Sequence, residues 1–267
     1  MSAPQATIGI FGGSGFYSFL EDVEEVRVHT PYGPPSDKIA LAGVGGRRVA
    51  FLARHGREHS HPAHAVNYRA NIWALRELGV REIIAPCACG SLQSHFQPGE
   101  FVILDQFVDR TRGRRDTFFD GPVAHHIGAA EPYCPRLRQL AAEIAEEQDI
   151  PVHPAGTMVV INGPRFSTRA ESAWFTRMGW DLVGMTQYPE CILARELGLC
   201  YTGIALVTDY DVGLVAEEGR DPVSIEEVFQ VFRANIARVQ ELILALIPHL
   251  GGERPCECAA EAERAIV

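Results

Sequence analysis

The chain has 267 residues, 46% hydrophobic and 22% charged, the balance of an ordinary globular protein, and is long enough to bury about three quarters of its unfolded surface. Its 34 acidic against 24 basic side chains leave a formal charge of -10, which argues against a duplex-binding protein that neutralises phosphates, though not against a local anion site. The longest apolar run, around Leu197 to Val207, is too short to span a bilayer, Met1 to Ala6 lack a leader pattern, and seven scattered cysteines make no disulfide framework, so a cytoplasmic protein with reduced thiols is expected.

Short apolar runs bounded by turn residues predict strands over Thr7 to Phe11, Ile39 to Val44, Arg48 to Ala53 and Glu82 to Pro86, and then Phe101 to Asp105, Thr157 to Ile161, Leu182 to Thr186 and Cys200 to Thr208. Helices alternate with them. Tyr68, Ile72 and Leu75 share one face of a helix over Val66 to Leu78, which Gly79 closes with a left-handed cap. Pro135 opens a second helix, with Leu137, Leu140, Ala141 and Ile144 inward. Ser224 and Glu227 form a capping-box pair, and a wide apolar stripe from Val228 to Leu246 runs on to Pro248. This order predicts an α/β fold: a single domain with a central mixed β-sheet flanked by helices, over residues 1–250, followed by a C-terminal acidic tail, 251–267.

Six segments at the carboxyl ends of predicted strands carry the candidate chemistry, and that edge of an open α/β sheet is where ligands bind. Gly12-Gly13-Ser14-Gly15 is a glycine turn whose amides and hydroxyl suit an anion. It lacks the third glycine of a dinucleotide fingerprint, because Ser18 stands there, and no phosphate-loop lysine motif occurs. Arg54-His55-Gly56 adds a guanidinium fork and an imidazole, both able to hold phosphate. His55, His59, His61 and His64 cluster in sequence without the Glu of the zinc helix motif, so no metal is expected there. Cys87-Ala88-Cys89-Gly90-Ser91 reads as small residues under a close backbone turn, and its C-x-C spacing, repeated at Cys256 and Cys258, is not that of a zinc knuckle. Asn162 to Ser167 places Phe166 where it can stack on a flat heterocycle; Met185-Thr186 and Thr208-Asp209-Tyr210-Asp211 complete the set.

Ile10 to Phe16, Arg54-His55-Gly56 and Asn67 to Leu75 closely resemble the methylthioadenosine phosphorylases of the purine nucleoside phosphorylase family. So do Gly90-Ser91-Leu92, Asp105 to Thr111, Gly163 to Ser172, and Met185-Thr186 with Pro189-Glu190. The likeness runs in order from about Ile8 to Pro248. It implies a homotrimer that splits 5'-methylthioadenosine with inorganic phosphate as co-substrate and no cofactor, giving adenine and 5-methylthioribose 1-phosphate, in methionine and purine salvage. By the same resemblance Ser14, Arg54, His55, Ala88 and Thr186 hold phosphate, Met185 packs on the ribose, and Phe166, Ser167, Asp209 and Asp211 surround the purine. His126 reaches the 5' group of the neighbouring subunit, and Ile225 lines the 5' pocket. Cys87 stands where many relatives carry Thr, and a thiol is a weaker donor to phosphate.

Breaking the C1'–N9 bond develops positive charge on the sugar and negative charge on the base, and both need stabilising at once. A phosphate anchored by Arg54, Ser14 and Thr186 sits beside the cationic sugar and serves as nucleophile. Asp209 near N7 can protonate the departing base if burial and Asp211 keep it protonated, and a carboxyl also accepts from a 6-amino group, which favours adenine over hypoxanthine. Alternatives in the same chemistry are adenosine, a 5'-halo-5'-deoxyadenosine or methylthioinosine. A dinucleotide-dependent oxidoreductase rests on the first glycine turn alone, and a nucleoside-binding module would release no adenine.

Overall fold

The structure, a computed structural model, describes residues 5–12, 21–212 and 224–266; the side chains of residues 21, 22, 225, 227 and 229 are outside that description. Eleven strands form one mixed sheet among the described residues. They are β1 (Ile8–Gly12), β2 (Glu21–Val26), β3 (Ile39–Val44), β4 (Arg47–Ala53), β5 (Glu82–Ser91), β6 (Phe101–Ile103), β7 (Gln106–Arg110), β8 (Val152–His153), β9 (Thr157–Ile161), β10 (Leu182–Gly184) and β11 (Cys200–Asp209). The helices are α1 (Tyr68–Glu77), α2 (Pro135–Glu147), α3 (Arg169–Arg177), α4 (Gln187–Glu196), α5 (Ile225–Leu246) and α6 (Cys258–Arg264).

Local chemistry accounts for the helix ends. Asn67 caps α1 by accepting from the Ala70 amide, and Gly79 follows the helix at φ +95°. Pro135 starts α2, where its missing N–H costs nothing. Thr168 and Glu171 close a capping box on α3. The sheet separates two apolar layers: Phe11, Leu41, Leu75 and Val207 belong to one, while Ile10, Phe51, Ile144 and Leu242 belong to the other. That is the three-layer solution for a sheet that must cover both faces. No described helix is long and apolar enough to cross a membrane.

The sheet order β2-β3-β4-β1-β5-β10-β9-β7 contains one break that matters for the site. On one side β5 runs parallel to β11 along its length. On the other it pairs with β1 only at Glu82–Ile84 and with antiparallel β10 only at Gly90 and Ser91. Residues 85–89 therefore face a crevice where the sheet changes partner and direction, the kind of switch point at which α/β sheets bind ligands. β5 is buried throughout except there: Cys87 is half-buried and Ala88 exposed.

The segment Cys87 to Ser91 is thus not a turn after a strand, as its small residues suggest, but the continuation of that strand. The expected strand over Leu182 to Thr186 ends at Gly184, because Thr186 is already the N-cap of α4. The acidic tail carries α6, whose Cys258 and Ala262 are buried against the body.

Candidate active site

β1, β4, β5 and β11 are parallel neighbours, so their carboxyl ends bring Gly12, Arg54, Cys87 to Ser91 and Asp209 to one edge. β10 runs the opposite way along β5, from Leu182 opposite Ser91 to Val183 opposite Gly90. Continuing in that direction carries Met185 and Thr186 back toward Ala88 and Cys87. Five of the six candidate segments thereby converge on the crevice through topology alone, the glycine turn through Gly12, since Ser14 lies outside the described residues. The sixth, Asn162 to Ser167, follows β9, the parallel neighbour of β10.

Arg54 is 4% exposed and its guanidinium is largely committed. Nε and Nη2 donate to the two oxygens of Glu190 at 2.8 Å each, and Nη1 donates to the Pro86 carbonyl at 2.9 Å. The last bond satisfies a backbone acceptor of β5 at the crevice. Of the five N–H groups of an arginine, two remain for a ligand. Burial works against the charge, but the Glu190 carboxylate outweighs it and raises the pKa, so Arg54 is cationic at every accessible pH. Glu190 is fully buried and also accepts from the Tyr201 hydroxyl at 2.7 Å. Gln187 completes this support, its amide donating to Ala85 O and Cys87 Sγ at 3.4 Å.

Burial, aided by the Arg54 charge, lowers His55 to about 4, so its imidazole is neutral at pH 7. Its Nδ1 lies 2.8 Å from His61 O. A carbonyl only accepts, so Nδ1 carries the proton and Nε2 is left as an acceptor, suited to the P–OH of a monohydrogen phosphate. His55 stacks on His59 at 4.6 Å, and the histidines of this stretch do not converge as a metal-binding group. Burial pushes the Cys87 thiol up to about 11, which leaves it protonated.

The opposite wall is built on Gly90. A Cβ there would stand 2.8 Å from Asp209 Oδ1 and 3.3 Å from Asp211 Cβ, so glycine is what lets both acidic residues lie over the strand. Asp209 Oδ1 accepts from the Asp211 amide at 2.8 Å, and its Oδ2 is 2.8 Å from Thr208 Oγ1. That hydroxyl is also 3.1 Å from Cys89 O. It has one proton: donated to Cys89 O, it leaves a lone pair to accept from a protonated Asp209, so the site accommodates both states of the acid. Asp211 has a left-handed backbone, φ 51°, and its pKa is raised by burial, against the pull of the Ser172 and Ser167 hydroxyls and the Val212 amide. The two serines flank the capping-box residues Thr168 and Glu171 of α3. Phe166 is 39% exposed, its ring at the surface, while Ser167 is buried.

Met185 sits where Gly163, at φ +67°, lets its sulfur approach; a Cβ on Gly163 would be 2.6 Å from Sδ. Arg114 ties three carbonyls of this wall together: Asn162 O at 2.9 Å, Met185 O at 2.8 Å, and Tyr188 O. Thr186 is 7% exposed, and its hydroxyl makes no capping bond. His126 is exposed, its amide bonded to Ala265 O at 2.9 Å. It lies two residues before Gly128, whose carbonyl accepts from Arg195 at the C-terminal end of α4, whereas Thr186 is the N-cap of that helix. The backbone of Ile225 opens α5, and its side chain is outside the described residues.

Sequence reasoning missed Tyr201, Gln187 and Arg114, and gave Glu190 no role. The one available signal was an amide and a carboxylate, Gln187 and Glu190, directly ahead of the apolar run Cys191 to Ala194.

Residues 7–248 match the family model described as the phosphorylase superfamily. The chain is 52% identical over 266 residues to a purine nucleoside phosphorylase of Streptomyces coelicolor, covering 96% of this chain and 94% of that protein. It is 49% identical over 262 residues to an S-methyl-5'-thioadenosine phosphorylase of Thermofilum pendens, covering 97% and 98%. The solved methylthioadenosine phosphorylase of Schistosoma mansoni in complex with adenine superposes with a TM-score of 0.90 at 39% identity, covering 97% of each chain. Likeness over nearly the whole length, in sequence as in backbone, includes every element that forms the crevice, and the chain belongs to the phosphorylase superfamily.

Proposed function

We propose that this protein is a phosphorylase of 5'-methylthioadenosine, releasing adenine and 5-methylthioribose 1-phosphate. The observation that carries the reading is the crevice itself, with a permanent cation at one wall and a carboxyl pair at the other. Arg54, Thr186 and the backbone at Ala88 bind phosphate, with Ser14 as a further donor and His55 Nε2 accepting from the phosphate hydroxyl. Met185 packs on the ribose, orienting C1' toward the phosphate oxygen. Phosphate attacks C1' as the bond to N9 breaks, its negative charge stabilising the cationic sugar.

Asp209 gives its proton to N7 as electrons flow into the purine, and Asp211 holds the Asp209 carboxyl through its amide. Phe166 and Ser167 border the base. Phosphate is a co-substrate, and no cofactor enters the scheme. His126, exposed beside the C-terminal end of α4 while Thr186 caps its N-terminus, fits a homotrimer in which it reaches the 5' group next door, with Ile225 in the same pocket. A cytoplasmic location fits salvage of an intracellular nucleoside.

The Streptomyces relative, called a purine nucleoside phosphorylase, keeps a second reading open, in which a 6-oxo base such as that of methylthioinosine is cleaved. The test is a product assay over methylthioadenosine, adenosine, methylthioinosine and a 5'-halo analogue, with and without phosphate. The expected result is phosphate-dependent adenine release, fastest from methylthioadenosine. Faster cleavage of the 6-oxo nucleoside would replace this reading with the second, and cleavage independent of phosphate would overturn both.

A further inference from the structure

Four of the seven cysteines meet at one place outside the crevice. Cys134 is the N-cap of α2, Cys200 the first residue of β11, Cys256 lies in the segment before α6, and Cys258 begins that helix. Their Sγ atoms all lie within 4.8 Å of one another, and Cys200 and Cys256 are 3.4 Å apart. None is in a disulfide. Among the described residues this is the one group of His, Cys, Asp or Glu side chains arranged to share an ion.

We propose that these four thiols form a structural site for a thiophilic dication, zinc, which pins the C-terminal segment to the body of the protein. A tetrahedral tetrathiolate centre with metal–sulfur bonds of about 2.3 Å places its sulfurs about 3.8 Å apart. The observed separations bracket that value, Cys200 and Cys256 at 3.4 Å and all four sulfurs within 4.8 Å of one another, so small side-chain adjustments reach that geometry. Two ligands come from rigid elements: the Cys200 amide bonds Arg81 O and the Cys134 amide bonds Tyr201 O, each at 2.9 Å. Two come from the C-x-C of the tail. Ligands drawn from positions 134, 200, 256 and 258 have no spacing a sequence motif would record.

The surroundings suit the charge. Binding releases up to four thiol protons, forms four metal–sulfur bonds and changes no oxidation state, leaving a dianionic centre. Arg254 Nη1 lies 3.7 Å from Cys200 Sγ, and Arg136, paired with Glu82, adds a second cation at the cluster. A surface groove of about 440 Å³, lined by Pro135, Arg136, Cys256 and Cys258 among others, gives an ion a way in. Beyond the cluster, α6 holds the segment that carries His126: His125 Nε2 is 3.0 Å from Ala262 O, and the His126 amide bonds Ala265 O. The metal would therefore fix the tail that fixes this segment; only that consequence for the nucleoside rests on the proposed function.

The test uses the full chain, purified without chelator and desalted, with metal content measured by mass spectrometry. About one zinc per chain is expected, and cobalt added to the reduced, metal-stripped protein should give tetrahedral thiolate-to-cobalt charge-transfer absorption. Cys256→Ser should retain at least tenfold less zinc, and stripping the metal should lower the Tm of the unsubstituted chain but not of the variant. Absence of both zinc and the cobalt band would overturn the proposal, as would an intact mass showing two disulfides within the cluster. The cobalt titration needs no variant, so a Cys256→Ser chain that fails to fold leaves the proposal open to refutation. Phosphorolysis is assayed separately, and its loss or presence does not enter the metal readout.

Discussion

Glu190→Gln removes one negative charge from the best-buried ion pair of the crevice while keeping the side chain's shape. The carboxylate accepts two bonds from Arg54 and one from Tyr201, in a place with no access to water. A glutamine has one acceptor oxygen, and its NH2 opposes an Arg54 N–H, donor against donor. The guanidinium then remains buried without its counter-charge. Breaking a buried pair from one side costs about 3–5 kcal/mol, most of it the penalty of stranding the other ion. With an unfolding entropy of roughly 2.1 cal/mol/K per residue, a chain of 267 residues should lose about 5–9 °C in Tm.

Phosphate turns this into a test of the site as well as of the fold. In the proposed scheme it meets, in the unsubstituted protein, a cation already neutralised by Glu190 and is held through the two remaining N–H groups. In the variant it supplies the missing negative charge, so its binding recovers part of the lost stability. Thermal denaturation across a phosphate series should therefore show a lower Tm without phosphate and a steeper rise with it. A variant with the same Tm and the same phosphate dependence as the parent would refute the claim that Glu190 is the counter-ion of the anion-binding arginine.

Asp209→Asn should lower turnover of adenine nucleosides by a hundredfold or more, the scale of a lost general acid, in a phosphorolysis assay at saturating phosphate; full activity would remove Asp209 from that role. Gly90→Ala places a methyl 2.8 Å from Asp209 Oδ1 and should displace both carboxyls, cutting kcat/KM at least tenfold at a stability cost of about 1–3 kcal/mol, checked by kinetics and denaturation. Cys87→Thr substitutes a hydroxyl for a thiol held protonated by burial, and one better hydrogen bond of about 0.5–1.5 kcal/mol should lower the KM for phosphate severalfold. His55, held at about 4 against an ordinary 6.5, binds fewer protons folded than unfolded, so its contribution is full above about pH 6.5 and is lost as the pH falls through 4. Tm measured across that window should fall less steeply in His55→Gln.

What was legible in the chain follows from how each element is stabilised. β3 and β9 coincide with their predicted bounds because runs such as IALAGV and TMVVI state burial directly. β2 has the sequence EDVEEV and β7 the half-exposed QFVDR, and edge positions of this kind carry little apolar signal. α4 hides behind Pro189 and a non-helical Tyr188. α6, CAAEAER, has the composition of a solvated tail, and what buries it is contact with the body, which no local pattern encodes. The site divides the same way: residues at strand ends were readable, while those that hold them depended on pairings such as Arg54 with Glu190, 136 positions apart.

That pairing also bears on how a protein of charge -10 handles an anion. Overall charge would repel phosphate, and Arg54, the buried cation of the crevice, is matched by the buried Glu190 carboxylate, so this pair carries almost no net charge. Attraction at long range is therefore not the basis of recognition. What remains is directional: two guanidinium N–H groups, the backbone along the open edge of β5, and a neutral imidazole that accepts rather than donates. Such a set holds a tetrahedral oxyanion by geometry, and it distinguishes monohydrogen phosphate, which can donate to His55 Nε2, from sulfate, which has no proton to give at neutral pH. In the proposed scheme, the crevice created where β5 changes partners therefore selects its nucleophile by shape and proton rather than by net charge.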